Sequence, residues 1–136
     1  MEIDRNGLQV LDGDECRRLI SGSALGRVAV SIGALPVILP VNFLLDGDQI
    51  LIRTGSGTKL AAAVQDAVVA FEVDHIDPLD HGGWSVCVTG VAREIRDEAE
   101  LRRVAHLPLP HWAPNGRSHV IAVSTDLVTG RRIPRP

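Results

Sequence analysis

Cationic and hydroxyl side chains crowd one short stretch of the chain, Ile50 to Leu60, which reads I-L-I-R-T-G-S-G-T-K-L. Its hydrogen-bond donors are two cations and three hydroxyls, namely Arg53, Lys59, Thr54, Ser56 and Thr58. Gly55 and Gly57 free the backbone for a tight turn among these donors. Such a corner is typical of a phosphate-binding site. The alternative is a plain connection whose Arg and Lys point into solvent.

The flanking residues predict the order strand, glycine loop, helix start. Three aliphatic residues precede Arg53, and the run from Leu60 to Val64 is rich in strong helix formers. The first turn of a helix presents unpaired N–H groups and a partial positive charge, which suit a phosphate. Thr58 separates Gly57 from Lys59, which excludes the loop of nucleotide hydrolases, and the third glycine of the dinucleotide fingerprint is missing. We therefore expect a mononucleotide-like phosphate.

Composition narrows the class of protein. The 136 residues predict one domain, 1–136, and a net charge of −3 with 3% aromatic residues argues against a nucleic-acid partner. No apolar run reaches membrane-spanning length, and Met1 to Asp4 does not resemble a signal peptide. We expect a soluble, cytoplasmic protein with no membrane partner. Cys16 and Cys87 are far apart, and we expect both to be buried thiols.

Two helices are predicted from paired acidic residues. Asp12 with Glu15, and Asp97 with Glu100, have the spacing of a capping box at a helix start. The second of these helices should end near Ala105. Both predicted helices are short, so most of the core has to come from strands.

The rest of the sequence has the apolar runs and turn residues that predict strands. Leu35 to Leu44 contains Pro36 and Pro40, so we expect this strand at an edge or bulged, with a ligand able to lie against its backbone. Asp46-Gly47 indicates a hairpin. Ala67 to Val73 is almost wholly apolar, which predicts burial on both faces. Further strands are expected near residues 26–30, 84–93 and 119–124, followed by a tail. A mostly β fold of this kind closes best as a small barrel.

Several blocks in order resemble the pyridoxamine 5′-phosphate oxidase-like family of flavin-binding split β-barrels. They are Gly26-Arg27-Val28-Ala29, Leu39 to Phe43, Ile52-Arg53-Thr54 with Gly57 to Leu60, Val69 to Asp74, Gly83 to Gly90, and Thr129 to Ile133. The resemblance implies a six-stranded split barrel with two or three short helices. It also implies a homodimer with cofactor sites at the subunit interface, each holding FMN or, in some relatives, a deazaflavin (coenzyme F-420). The substrate-binding arginines and histidine of true pyridoxamine phosphate oxidases are absent.

The resemblance also implies a set of cofactor-binding residues, which are Pro40, Val41, Asn42, Phe43, Arg53, Thr54, Gly57, Thr58, Lys59, Trp84 and Ser85. Arg53 and Lys59 would hold the phosphate. The Pro40–Phe43 segment would run beneath the isoalloxazine ring, although ordinary core positions are the alternative for Val41 and Phe43. Trp112 would either cover the cofactor or pack at the dimer surface.

If a flavin is bound, the protein need not supply a strong acid, base or nucleophile, because the cofactor itself carries out hydride and electron transfer. We expect an oxidoreductase acting on a small organic molecule, with catalytic residues unknown. One alternative is a non-enzymatic flavin-binding or storage module, and another is a nitroimidazole-reductase-like protein, although that branch usually carries a histidine near the position of Arg53. The histidines and acids of residues 74–81 fit turn formation, so no metal site is expected.

Overall fold

The computed structural model describes residues 1–55, 60, 65–110 and 118–134. Eight strands and two helices lie within these residues. The strands are β1 (Gln9–Leu11), β2 (Leu25–Ile32), β3 (Leu35–Asp46), β4 (Gln49–Gly55), β5 (Ala67–Ile76), β6 (Gly83–Glu94), β7 (Ser118–Ser124) and β8 (Leu127–Arg132), and the helices are α1 (Gly13–Ser21) and α2 (Glu98–Ala105). The chain is therefore mostly β, as the sequence predicts.

Six of the strands close into an antiparallel barrel. The order β6-β5-β2-β3-β4-β7 is closed by pairing between β7 and β6, while β8 and then β1 extend the sheet from the other half of β6. Closure leaves fewer exposed strand edges than an open sheet of the same strands would have. The predicted six-stranded split barrel is confirmed.

Strand β6 divides the barrel because it changes partner along its length. Residues Trp84 to Thr89 pair with β8, and Ala92 to Glu94 pair with β7. The change falls at Gly90, where a Cβ atom would lie 1.7 Å from the carbonyl oxygen of Ser124. Only glycine permits this close crossing of two backbones.

The two predicted capping boxes are confirmed at the helix starts. The Asp12 Oδ1 atom accepts from the Glu15 backbone N–H at 2.8 Å, and Asp97 Oδ2 accepts from that of Glu100 at 2.9 Å. Helix α1 buries Cys16 against the barrel core. Helix α2 covers a smaller apolar cluster on the outside of β4 and β7, whose members include Leu51, Val104 and Val120.

Three expectations differ from the structure. The tail predicted after residue 125 contains β8, which pairs with β6. Strand β5 is buried on one face only, because Val68 and Ala70 are exposed while Val69 and Phe71 are buried. Cys87 points outward from β6 and is exposed, so the expectation that both thiols are buried is wrong for this residue.

Among the described residues, no helix is long and apolar enough to cross a bilayer.

Candidate cofactor site

Arg53 places a positive charge in a partly buried position near the end of β4. Its cross-strand neighbour is Val120, and Leu51, two residues earlier, lies on the same face of the strand. Both neighbours belong to the apolar cluster under α2. The Nε atom of Arg53 is buried and has no hydrogen-bond partner among the residues that the structure describes. A buried, unpaired donor on a cation is costly, so this position is suited to an anion.

The glycine loop follows directly on Arg53. Thr54 and Gly55 end β4, and Leu60 is helical and buried in the barrel core. The predicted contacts of Gly57, Thr58 and Lys59 lie outside the described residues, as does Trp112. Side chains alternate along a strand, so the side chain of Thr54 lies on the opposite face of β4 from that of Arg53. Its cross-strand neighbour is His119.

Strand β3 has an open edge beside this corner. Its ladder with β4 begins at the hairpin turn and ends where Phe43 lies opposite Ile52. Among the residues that the structure describes, β3 pairs only with β2 from Leu35 to Asn42, and in this sense its other edge is open. Because the Phe43 N–H donates to the Ala24 carbonyl at 3.3 Å, on the β2 side, even-numbered residues face the other edge.

The two prolines of β3 therefore lie on its open edge. Pro36 and Pro40 are even-numbered, so their missing N–H groups remove no hydrogen bond from the ladder with β2. The carbonyls of both residues point along this edge. The expectation of an edge position is confirmed for this half of the strand.

The four residues predicted to lie beneath a flavin ring are divided between the two faces of β3. Phe43 is buried, and its ring meets that of Phe71 at a centroid distance of 4.8 Å with an interplanar angle of 71°. Val41 packs against the same core. Pro40 and Asn42 point outward, and the Asn42 side-chain amide donates to the Ala24 carbonyl at 3.1 Å. Only Pro40 and Asn42 therefore present side chains on the outer face.

Trp84 and Ser85 form a second group at the start of β6. Trp84 lies in a row between His75 of β5 and Arg132 of β8 and packs against the barrel core. It lines a cavity of about 380 Å³ together with both of these neighbours. A second cavity of about 200 Å³ is lined by Trp84 and also by Ser85. Trp84 thus lines two cavities.

The arginine of this row is already paired. Arg132 Nη2 lies 2.6 Å from Glu15 Oε1, and Arg18 shares the same carboxylate. Hydrogen bonds from Arg18 and then Arg132 lower the pKa of Glu15 to about 2. Arg132 therefore brings little uncompensated charge to the cavity, whereas the buried Nε atom of Arg53 has no hydrogen-bond partner among the described residues.

Within one chain, the Pro40–Asn42 edge of β3 and the Trp84–Ser85 group of β6 lie apart. Between β3 and β6 lie β2 and β5. Three strand spacings of about 4.8 Å separate the Pro40–Asn42 edge from Ser85 by roughly 14 Å along the sheet. A flavin ring lying against one group would not reach the other within the same chain.

Sequence reasoning missed a charged cluster on the outer face of the barrel. Arg27 Nη1 lies 3.3 Å from Glu72 Oε1 and 3.3 Å from Asp74 Oδ2. Partial burial, and then the neighbouring Asp74 carboxylate, raise the pKa of Glu72 to about 6. Glu72 and Asp74 alternate with core residues in β5, and that alternation could have revealed a shared outward face.

A pair formed by a histidine and a glutamate also lies near the Arg53 corner. His119 Nδ1 is 3.2 Å from Glu94 Oε2, and the histidine is opposite Thr54 in the β4–β7 ladder.

In the turn after β5, Asp77 accepts from the Leu79 N–H and Asp80 from the Gly82 N–H. These two acids therefore stabilise a turn. Among the described residues, no three acidic, histidine or cysteine side chains converge as a metal site.

The split barrel agrees with a family match along most of the chain. The model of the pyridoxamine 5′-phosphate oxidase family matches residues 12–132. The chain belongs to this family. It is 39% identical over 128 residues to an uncharacterised protein of Mycobacterium tuberculosis, which covers 90% of this chain and 84% of the relative.

Solved structures show the same fold over nearly the full chain. The FAD binding protein from Mycobacterium smegmatis superposes with a TM-score of 0.84 at 37% identity, covering 94% of this chain and 100% of that one. A protein of unknown function from Corynebacterium diphtheriae has a TM-score of 0.79 at 30% identity, covering 91% and 96%. Family membership thus places the Arg53 corner in a barrel that binds a flavin in a similar protein.

Proposed function

We propose that this chain binds a flavin-type nucleotide and supports oxidation and reduction of a small organic molecule. The observation that carries the proposal is Arg53, a half-buried cation whose Nε atom has no acceptor among the described residues. A phosphate oxygen would supply that acceptor. Lys59, in the adjoining glycine loop of the sequence, would add a second positive charge.

The open edge of β3 would hold the ring of the same cofactor. Its backbone carbonyls at Pro36 and Pro40 face away from β2, and the outward Asn42 stands at the end next to β4. A flat heteroaromatic ring with donors and acceptors along one edge matches such a row of backbone groups. Phe43 and Val41 would support this edge from beneath as core residues.

A second copy of the chain would complete the site. Ser85 lies on the outer face of β6, three strands from the β3 edge, so it would reach a cofactor bound to the other copy. This division supports a homodimer with the cofactor between subunits. Trp84 packs against the barrel core on the opposite face of β6, so it would support this contact from beneath.

The bound cofactor would supply hydride and electron transfer, and the protein would bind, orient and shield it. We assign no catalytic acid or base among the described residues. FMN is the first candidate, and a deazaflavin is the alternative. FAD joins the test because a similar protein of known structure is described as FAD binding.

Spectroscopic titration tests the proposal. Purified protein, stripped of any bound chromophore, would be titrated with FMN, FAD and the deazaflavin while absorption and flavin fluorescence are recorded. We expect saturable binding of at least one of them. Arg53→Met should weaken that binding by roughly tenfold or more, the effect of losing one charge-assisted hydrogen bond. Arg102→Met, an exposed position on α2, is the matched control and should leave the affinity unchanged. No binding of any of the three would refute the proposal.

Turnover separates an enzyme from a storage module. The loaded protein would be reduced without oxygen, by a nicotinamide cofactor or by reduced deazaflavin, and then exposed to small acceptors that include a nitroimidazole. Reoxidation that depends on the acceptor supports an oxidoreductase. Tight binding with no such reoxidation supports a flavin-binding module.

A further inference from the structure

Four side chains form a row at the ends of four neighbouring strands, β1, β8, β6 and β5. Gln9 lies opposite Arg132, Arg132 lies opposite Trp84, and Trp84 lies opposite His75. Residues directly opposite each other share one face of a sheet, and here it is the face that carries the core. Two residues further into each strand, the next row is buried and consists of Leu11, Gly130, Val86 and Val73.

The row at the strand ends lines a cavity of about 380 Å³ instead of being buried. Sites for small molecules commonly measure about 300–1,000 Å³. Asp77 and Ile133 form part of the same wall. Because side chains alternate along β6, this cavity lies on the other face of the strand from the cofactor contact that Ser85 would make.

Each side chain of the row ends in a planar group. These groups are a carboxamide at Gln9, a guanidinium at Arg132, an indole at Trp84 and an imidazole at His75. With strand spacings of about 4.8 Å, the row extends over roughly 14 Å. Indole, imidazole and guanidinium groups attract flat aromatic rings by stacking. The row is therefore suited to a flat ligand.

Three of the four groups are free to form hydrogen bonds. Within the part of the chain that the structure describes, the side chains of Gln9, Trp84 and His75 make none. The Trp84 N–H is also not fully buried, because Arg53 Nε is the buried side-chain atom without a partner among the described residues. A molecule in the cavity can therefore exchange hydrogen bonds with a donor at Trp84 and with donors or acceptors at Gln9 and His75.

The side-chain charges around the cavity cancel. Arg132 Nη2 lies 2.6 Å from Glu15 Oε1, and Arg18 binds the same carboxylate. Asp77 brings the second negative charge. With a neutral histidine, two positive charges face two negative ones. An ionic ligand would lose its hydration without gaining an unpaired opposite charge, so the cavity favours an uncharged ligand.

We propose that this cavity binds a flat, uncharged heteroaromatic molecule of the size of a nucleobase or a nicotinamide ring. The ring stacks along the row, and its edge exchanges hydrogen bonds with Gln9, Trp84 and His75. The site goes beyond the proposed function, because neither Arg53 nor the open edge of β3 takes part in it.

Nuclear magnetic resonance of the indole N–H signals tests the site. The chain has two tryptophans, and the signal that persists in Trp112→Phe belongs to Trp84. Adenine and nicotinamide would each be titrated against wild-type protein. We expect a saturable shift of the Trp84 signal with a dissociation constant of about 1 mM or lower for at least one of them. No saturable shift with either probe would overturn the proposal.

Two comparisons test the assigned chemistry and location. Nicotinate has the ring of nicotinamide with a carboxylate in place of the amide, and it should bind at least about fivefold more weakly than the better probe. Equal binding of nicotinate would rule out the preference for an uncharged ligand. Saturating FMN should leave the dissociation constant of the probe unchanged. Competition by FMN would assign the probe to the flavin site and refute a separate one.

Two substitutions test the row itself. His75→Leu and Gln9→Met remove hydrogen-bonding atoms from partly exposed positions, and each should weaken binding of the probe by about three- to tenfold. His106→Leu, at an exposed histidine that follows α2, is the matched control and should leave the affinity unchanged. Urea unfolding checks that all three variants fold. Wild-type affinity in both His75→Leu and Gln9→Met would show that the probe binds elsewhere.

Discussion

Replacing Arg53 by Met should change two properties in opposite directions. In the flavin-free protein, the buried Nε atom has no acceptor among the described residues, which costs about 1–3 kcal/mol for such a donor. Met keeps most of the aliphatic stem that packs beside Leu51 and Val120 and removes the charge. We therefore expect the free energy of unfolding of the flavin-free variant to rise by about 1 kcal/mol.

The same substitution should weaken flavin binding. Losing a charge-assisted hydrogen bond of about 1.5–3 kcal/mol corresponds to an affinity lower by roughly ten- to 150-fold. Urea unfolding of flavin-free protein gives the first quantity, and flavin titration gives the second. Arg102→Met should move neither. A variant that is less stable without flavin, yet binds flavin as well as the wild type, would show that Arg53 is a structural residue.

Three further predictions concern the scaffold. Gly90→Ala should lower the free energy of unfolding by about 3 kcal/mol or more, because its Cβ would meet the Ser124 carbonyl, while Gly13→Ala, with open space around it, should be neutral or stabilising by denaturant unfolding. The pKa of Glu15 is lowered to about 2, so the ionised carboxylate stabilises the fold above about pH 4.5, and this effect is lost as the pH falls towards 2. Glu15→Gln should therefore lower the melting temperature at pH 7 and leave it unchanged at pH 2. Ala34→Gly should stabilise the β2–β3 turn by roughly 0.5–1 kcal/mol in the same unfolding assay, since φ at Ala34 is 67°.

Local patterns in the sequence predicted local structure well. The capping boxes at Asp12 and Asp97 each satisfy a backbone N–H at a helix start, and that interaction spans only three residues. The prolines at positions 36 and 40 predicted an open edge correctly, because a proline cannot donate to a neighbouring strand wherever that strand comes from.

The pairing of strands that are far apart in the sequence was harder to predict. The partner change of β6 at Gly90 depends on where β7 and β8 lie, and nothing within residues 83–94 encodes that. Strand β8 was missed because its six residues include Gly130, which weakens a strand pattern. Strand β5 shows the opposite error, since an apolar run predicts burial but cannot say whether the same chain or another copy provides it.

The phosphate contact of Arg53 was predicted from residue types, and the structure adds its buried, unpaired Nε atom. Family resemblance supplied the roles of Trp84 and Ser85, which lie three strands from the β3 edge in one chain. Residue spacing alone could not have shown this division, because the distance between the two segments depends on the order of the strands in the barrel.

A crystal structure of the protein grown with the flavin that it binds most tightly would show whether Arg53 holds the cofactor phosphate. We expect the cofactor phosphate within about 3 Å of Arg53 Nε, at the end of β4. A phosphate bound elsewhere, with Arg53 Nε still lacking an acceptor, would contradict it.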